Sequence, residues 1–105
     1  MANLEIRYPS QPLEKRTLSK DQPLSIGRSA TNDVRIDDEA VAPMHCRISW
    51  NRDAFEVSAA NVDGVDLNGT LIRRSLLRSG DLIRIGPVDI RFRDGNAQET
   101  SPKPE

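Results

Sequence analysis

The chain is written in short runs of two-residue alternation, cut by turn residues about every eight to twelve positions, and no long stretch follows the 3.6-residue period of an amphipathic helix. The clearest run is 44–50, where Met44, Cys46, Ile48 and Trp50 point one way and His45, Arg47 and Ser49 the other. Leu4, Ile6 and Tyr8 alternate with Glu5 and Arg7 near the start, and Val88, Ile90 and Phe92 alternate with Asp89, Arg91 and Arg93 near the end. Between them the pattern predicts a short strand over 15–19, a third at Leu24-Ser25-Ile26, and a fourth with Val34 and Ile36 flanking Arg35. Phe55 and Val57 supply the hairpin partner of 44–50 across Asn51-Arg52-Asp53, and Gly80-Asp81 turns the chain into 82–85. Leu67-Asn68-Gly69-Thr70-Leu71 reverses through Asn-Gly, the strongest two-residue hairpin signal, because both residues tolerate positive φ. Strands this short bury one face only by packing on others, so the chain is expected to be all-β: a sandwich of two antiparallel sheets built from about eleven short strands.

At 105 residues there is room for one domain and one core. Fifteen basic residues against 16 acidic ones leave a net charge of -1, which argues against a nucleic-acid binder driven by phosphate neutralisation. With aromatic residues at 4%, a base-stacking platform is also excluded, and the edge of Arg73, Arg74 and Arg78 around Leu76 and Leu77 reads as solvated. Recognition of a single phosphate stays open, since it needs only one or two well-placed arginines. Cys46 is the only cysteine, so no internal disulfide is available. No apolar run reaches the length of a membrane span, and Glu5 and Arg7 stand where a signal peptide would be apolar. A cytoplasmic location with no membrane contact is the expectation. From Asp94 onward Gly, Asn, Gln, Ser and two prolines replace the apolar period. The predicted organisation is therefore a domain over 1–93 and a disordered tail or linker over 94–105, as in the first module of a longer multidomain protein.

Three polar stretches, 28–32, 37–44 and 59–66, interrupt the strands and are expected at one edge of the sandwich. Gly27 is expected to free the backbone for an abrupt turn, after which Arg28 projects a planar fork of donors able to hold a phosphate bidentately. Gly27-Arg28, the loop ending at His45, Asn68-Gly69 and Gly80-Asp81 together resemble the forkhead-associated (FHA) domain, over about residues 4 to 93. The resemblance implies that Arg28 contacts the phosphate of a phosphothreonine peptide. It also implies that His45 holds the loops beneath the binding edge, with Gly27, Gly64, Asn68 and Gly69 in supporting roles.

Two loops depart from the family pattern. Where the family has Ser-Arg-x-His, this chain has Ala42-Pro43-Met44-His45, so the serine hydroxyl that bonds the phosphate is missing and Pro43 lacks even a backbone N–H. Where the family has Ser-x-Asn-Gly-Thr, this chain has Asn61-Val62-Asp63-Gly64-Val65. The family's asparagine bonds the peptide backbone by both donating and accepting. Asp63 only accepts when ionised, and its charge repels a phosphate dianion. Hydrogen bonds to a charged group contribute about 1.5–3 kcal/mol each, so losing two weakens binding by roughly a hundredfold or more. Ser29, Thr31 and Asn61 carry substitute donors on the same loops. Two readings stand: phosphothreonine recognition weakened and rebuilt around Arg28, Ser29, Thr31, Asn61 and Asp63, or its replacement by phosphate-independent protein binding.

Other chemistry finds no support. His45 and Cys46 are adjacent in a strand, so they face opposite sides and cannot act as base and nucleophile. Asn61-Val62-Asp63-Gly64 has a faint calcium-loop look, but Ala59 and Thr70 stand where that loop requires Asp and Glu. Asn68-Gly69-Thr70 fits a glycosylation sequon and is better read as a turn. The sequence thus predicts a non-catalytic interaction module without metal or cofactor, docking a protein or phosphothreonine peptide on its loop edge. The alternative is an assembly domain whose sheet faces contact other subunits.

Overall fold

The computed structural model describes residues 2–61 and 63–94, and they form eleven strands in two sheets. In chain order these are β1 (Ala2–Arg7), β2 (Glu14–Thr17), β3 (Leu24–Gly27), β4 (Val34–Arg35), β5 (Cys46–Asn51) and β6 (Ala54–Ala59). They are followed by β7 (Val65–Leu67), β8 (Thr70–Ile72), β9 (Arg74–Leu76), β10 (Leu82–Ile85) and β11 (Val88–Asp94). One sheet runs β2-β1-β11-β10-β7-β8 and the other β4-β3-β5-β6-β9. Every pairing is antiparallel except β3 with β4, where Ile26 lies beside Val34 and Gly27 beside Arg35. That short parallel return is fastened by Asp33: its carboxylate accepts the Ser25 N–H at 2.9 Å, and its own N–H donates to Ser25 Oγ at 3.1 Å.

The alternation seen in the sequence becomes the inner face of each sheet. Leu4 pairs with Phe92, Ile6 and Ile83 both with Ile90, and Ile83 also with Leu67, giving the six-stranded sheet a continuous apolar face. Ile26 opposite Cys46 and Ile48 opposite Val57 do the same for the other sheet. These side chains are almost wholly withdrawn from water, and each fully buried aliphatic contributes about 1.5–3 kcal/mol relative to exposure. The Asn68-Gly69 turn has both φ angles positive, 54° and 89°, as a two-residue hairpin turn requires.

Several boundaries differ from the sequence reading: β2 covers Glu14–Thr17 rather than 15–19, β4 ends at Arg35 before Ile36, and the arginine edge read as solvated supplies the short strand β9. Met44 is 41% exposed and outside β5, because Pro43 has no N–H for the ladder and its carbonyl is taken by Ser29 N–H and Asn32 Nδ2. Tyr8 lies just beyond β1, half-buried, with its hydroxyl donating to Glu14 Oε1 at 3.1 Å. Asp94 extends β11 opposite Ala2, one residue past the expected domain edge. The rest of the expected tail, 95–105, lies outside the described residues.

Candidate binding site

The three polar loops meet around the backbone of His45. Its N–H donates to Ile26 O at the end of β3, and its carbonyl accepts both the Ala60 N–H and Asn61 Nδ2, each at 2.9 Å. Its ring nitrogen Nδ1 accepts the Ala42 N–H at 3.2 Å. One residue therefore ties the first loop's strand, the second loop and the third. Because Nδ1 is an acceptor, the ring proton sits on Nε2 and the imidazole is neutral. Burial pushes the His45 pKa below its ordinary value, and the nearby Asp63 charge opposes that only in part.

The first loop is pinned to the second through backbone carbonyls. Arg28 N–H donates to Ala42 O at 2.9 Å and Ser29 N–H to Pro43 O at 3.2 Å. Asn32, the one buried polar residue among the described residues, donates from Nδ2 to Ser29 O at 2.9 Å and to Pro43 O at 2.8 Å. Gly27 is required by this proximity. A Cβ there would collide with the Pro43 carbonyl oxygen and come within 2.8 Å of Asn32 Nδ2. The expectation of a glycine-specific turn at Gly27 is thus corrected: its φ lies outside the left-handed region, and close packing of the second loop excludes any side chain.

Held on both sides, Arg28 leaves its side chain exposed, and no ion pair or hydrogen bond engages its guanidinium among the described residues. Its carbonyl accepts Arg35 Nε at 3.2 Å, which fixes the backbone further. Arg28 lines a groove of about 420 Å³ together with Ala42, Pro43, His45, Asn61 and Asp63. The second loop presents no donor to that groove through Ala42 or Pro43. The Ala42 N–H is spent on His45, and both carbonyls accept from the first loop.

The remaining predicted residues fall into different roles. Asn61 is a brace: Nδ2 donates to His45 O and Oδ1 accepts the Asp63 N–H at 2.7 Å. Asp63 is exposed, its carboxylate unpaired among the described residues, on the same groove as Arg28. Gly64, at φ +88°, has the Ile72 carbonyl oxygen 2.9 Å from where a Cβ would sit, so glycine is dictated twice over. Ser29 and Thr31 hydroxyls bond each other at 3.0 Å beside the groove and are not among its lining. Asn68 and Gly69 serve the opposite end of β7. Asn68 exchanges bonds with Leu82 and donates to Asp81 Oδ1, while the Gly69 N–H donates to Asp66 Oδ1. Cys46 is buried among core side chains with its thiol pushed up to about 12 by desolvation, and it makes no hydrogen bond with His45.

Sequence reasoning missed Asn32, and also Glu39, Asp66, Leu71 and Arg84, which complete the groove. Asn32 carried no local signal, because its partner is a carbonyl eleven positions away. Asp66 and Leu71 were visible only as strand residues flanking a turn.

The comparison with curated proteins found no match. Among solved structures, the FHA domain of the CT664 protein from Chlamydia trachomatis is similar with a TM-score of 0.80 at 16% identity, over 89% of this chain and 96% of that one. The FhaA FHA domain, crystallised with the intracellular domain of Rv3910, gives 0.77 at 24% identity, over 89% of this chain and all of that one. The MEK1 FHA domain in complex with a HOP1 phosphothreonine peptide gives 0.71 at 22%, over 88% and 94%. These likenesses carry the fold. The family model for the FHA domain matches residues 24–86, from the first residue of β3 to the turn after β10 and across all three loops. On that match the chain belongs to the FHA domain family.

Proposed function

We propose that this chain docks a phosphothreonine peptide of a partner protein in the loop groove, with Arg28 holding the phosphate at reduced affinity. FHA domains are phosphopeptide-binding interaction modules, and the MEK1 domain is similar to this chain and was crystallised with such a peptide. The observation that carries the reading is the Arg28 guanidinium: exposed, unengaged among the described residues, and projecting from a backbone fixed by Ala42 and Arg35. A loop backbone already fixed spares the entropy of ordering it, so closing on a phosphate costs only the rotamer freedom of the arginine side chain. Affinity is reduced because Ala42 and Pro43 give the anion no donor and Asp63 places a negative charge on the same groove.

The assembly alternative requires an apolar patch on a sheet face. The large exposed apolar side chains among the described residues are Leu13, Met44, Leu71 and Leu76. Met44 lies in the second loop and Leu71 lines the groove, while Leu13 borders the outer face of the six-stranded sheet beside Arg7 and Asp89 and Leu76 lies on the outer side of β9 in the other sheet, so these two leucines form no shared patch. This distribution favours the loop edge. Fluorescence anisotropy with a degenerate phosphothreonine peptide pool and its unphosphorylated twin tests the proposal. Binding of the phosphorylated pool alone, lost in Arg28→Ala, supports it, whereas equal binding of both pools, or none, overturns it.

A further inference from the structure

The outer face of the six-stranded sheet carries a row of side chains directly opposite one another across five strands: Arg7, Asp89, Arg84, Asp66 and Leu71. The charges alternate, so Asp89 has an arginine on either side, whereas Asp66 has Arg84 on one side and Leu71 on the other. The pairing is nevertheless uneven. Arg84 donates from Nε to Asp89 Oδ1 at 3.0 Å, turning toward Asp89. Asp66 forms no ion pair among the described residues, and its carboxylate accepts the Gly69 N–H at 2.9 Å. The row thus ends in an uncompensated carboxylate and, beyond it, a leucine that is 68% exposed.

Both residues line the groove that holds Arg28. Glu39 and Asp63 line it too, and neither forms an ion pair among the described residues. Arg84 is engaged by Asp89, so one unpaired cation, Arg28, shares the groove with three unpaired carboxylates and one exposed aliphatic side chain. A phosphate dianion at Arg28 gains from that arginine and is repelled by the carboxylates. A ligand that brings positive charge next to its phosphate offsets the repulsion and pairs the carboxylates as well. A ligand with acidic neighbours meets like charge at every position.

Resting on the reading of Arg28 given above, we infer that the groove selects phosphothreonine peptides flanked by lysine or arginine, with an aliphatic side chain placed over Leu71. Asp63 and Asp66 are then specificity-determining residues, and Leu71 supplies the apolar contact. Rim ion pairs of this kind are worth about two- to fivefold in affinity per carboxylate at low salt, and they fade as salt screens them. The aliphatic contact has no such salt dependence.

The test is a position-scanned set of phosphothreonine peptides with Lys, Glu, Leu or Ala at each flanking position, titrated into the whole chain by anisotropy at low and high salt. Three variants keep the fold. Asp63→Asn alters an exposed side chain with no partner among the described residues, Asp66→Asn retains an oxygen for the Gly69 N–H, and Leu71→Thr suits an exposed strand position. The expected result is preference for Lys over Glu flanks by about fivefold or more, reduced by high salt and by either asparagine variant, with the Leu preference lost only in Leu71→Thr. Phosphorylated peptides that bind regardless of flank, or with a preference unchanged in all three variants, overturn this inference and leave the role of Arg28 standing. If no phosphorylated peptide binds, or if basic peptides bind equally without phosphate, both fall.

Discussion

The Nδ1 of His45 accepts the Ala42 N–H at 3.2 Å, so the imidazole must be neutral for the second loop to keep its shape. The folded-state pKa is lowered by burial, with Asp63 acting weakly in the other direction. Between the lowered folded value and the ordinary value of 6.5, the unfolded chain binds the proton and the folded chain does not. The contribution of His45 to stability is therefore complete above about pH 6.5 and lost as pH falls toward the folded pKa. His45 is the only histidine in the chain, so one imidazole resonance reports the titration directly. The expected midpoint lies below 6.5 in the native protein and lower still in Asp63→Asn, where the opposing charge is gone. A midpoint at or above 6.5 contradicts the buried acceptor role.

Asn32 secures the Arg28 loop to Pro43 with two bonds from one amide. Asn32→Ala removes both and leaves two carbonyls short of a donor, at an expected cost of about 1–3 kcal/mol. Urea denaturation measures the loss, and faster amide exchange at Ser29, whose N–H meets the same Pro43 carbonyl, localises it. Equal stability of the two proteins would show that the amide bonds are dispensable.

Two glycine substitutions are expected to differ in kind. Gly27→Ala drives a methyl into the Pro43 carbonyl and forces the two loops apart, costing about 1–3 kcal/mol and disturbing the groove. Gly69→Ala meets nothing within 4 Å and pays only for its φ of +89°, about 1–2 kcal/mol, with the groove intact. Thermal unfolding gives the energies. Chemical shifts at Arg28 and His45 should change in the first variant and hold in the second.

Ala42 stands where its family pattern has a hydroxyl, and its side chain borders the groove. Ala42→Ser is expected to tighten binding of a phosphothreonine peptide by about tenfold or more, the worth of one hydrogen bond to a charged group. Calorimetric titration of both proteins with the same peptide checks this. Unchanged affinity would mean that the phosphate does not sit beside position 42.

Much of this architecture was legible because sheet period and turn chemistry are local. The alternation of Cys46, Ile48 and Trp50 located β5, and Asn68-Gly69 located the β7–β8 hairpin without any knowledge of the rest. The alternation failed at Met44, where a proline one residue earlier ended the ladder. The site was legible only in its arginine and histidine. What holds Arg28 is a set of backbone carbonyls, at Ala42 and Pro43, that any residue type supplies and no pattern marks. Asn61 looked like a donor for a ligand because its amide is free in the sequence, yet the fold spends both ends of it on His45 and Asp63. Asp66 and Leu71 face each other across the local β7–β8 hairpin, but their place on the groove depends on where the fold sets that hairpin beside the loops, which no local pattern marks.

The central claim, that Arg28 reads a phosphate at this groove, is tested most directly by a backbone amide NMR titration of the native protein and of Arg28→Ala with a phosphothreonine peptide pool and its unphosphorylated twin. Phosphate recognition by Arg28 produces shifts clustered at Arg28, Ala42, Asp63 and Leu71, seen with the phosphorylated pool alone and absent in the variant. Shifts that appear with both pools, persist without the Arg28 guanidinium, or fall on the sheet faces away from the groove would contradict it.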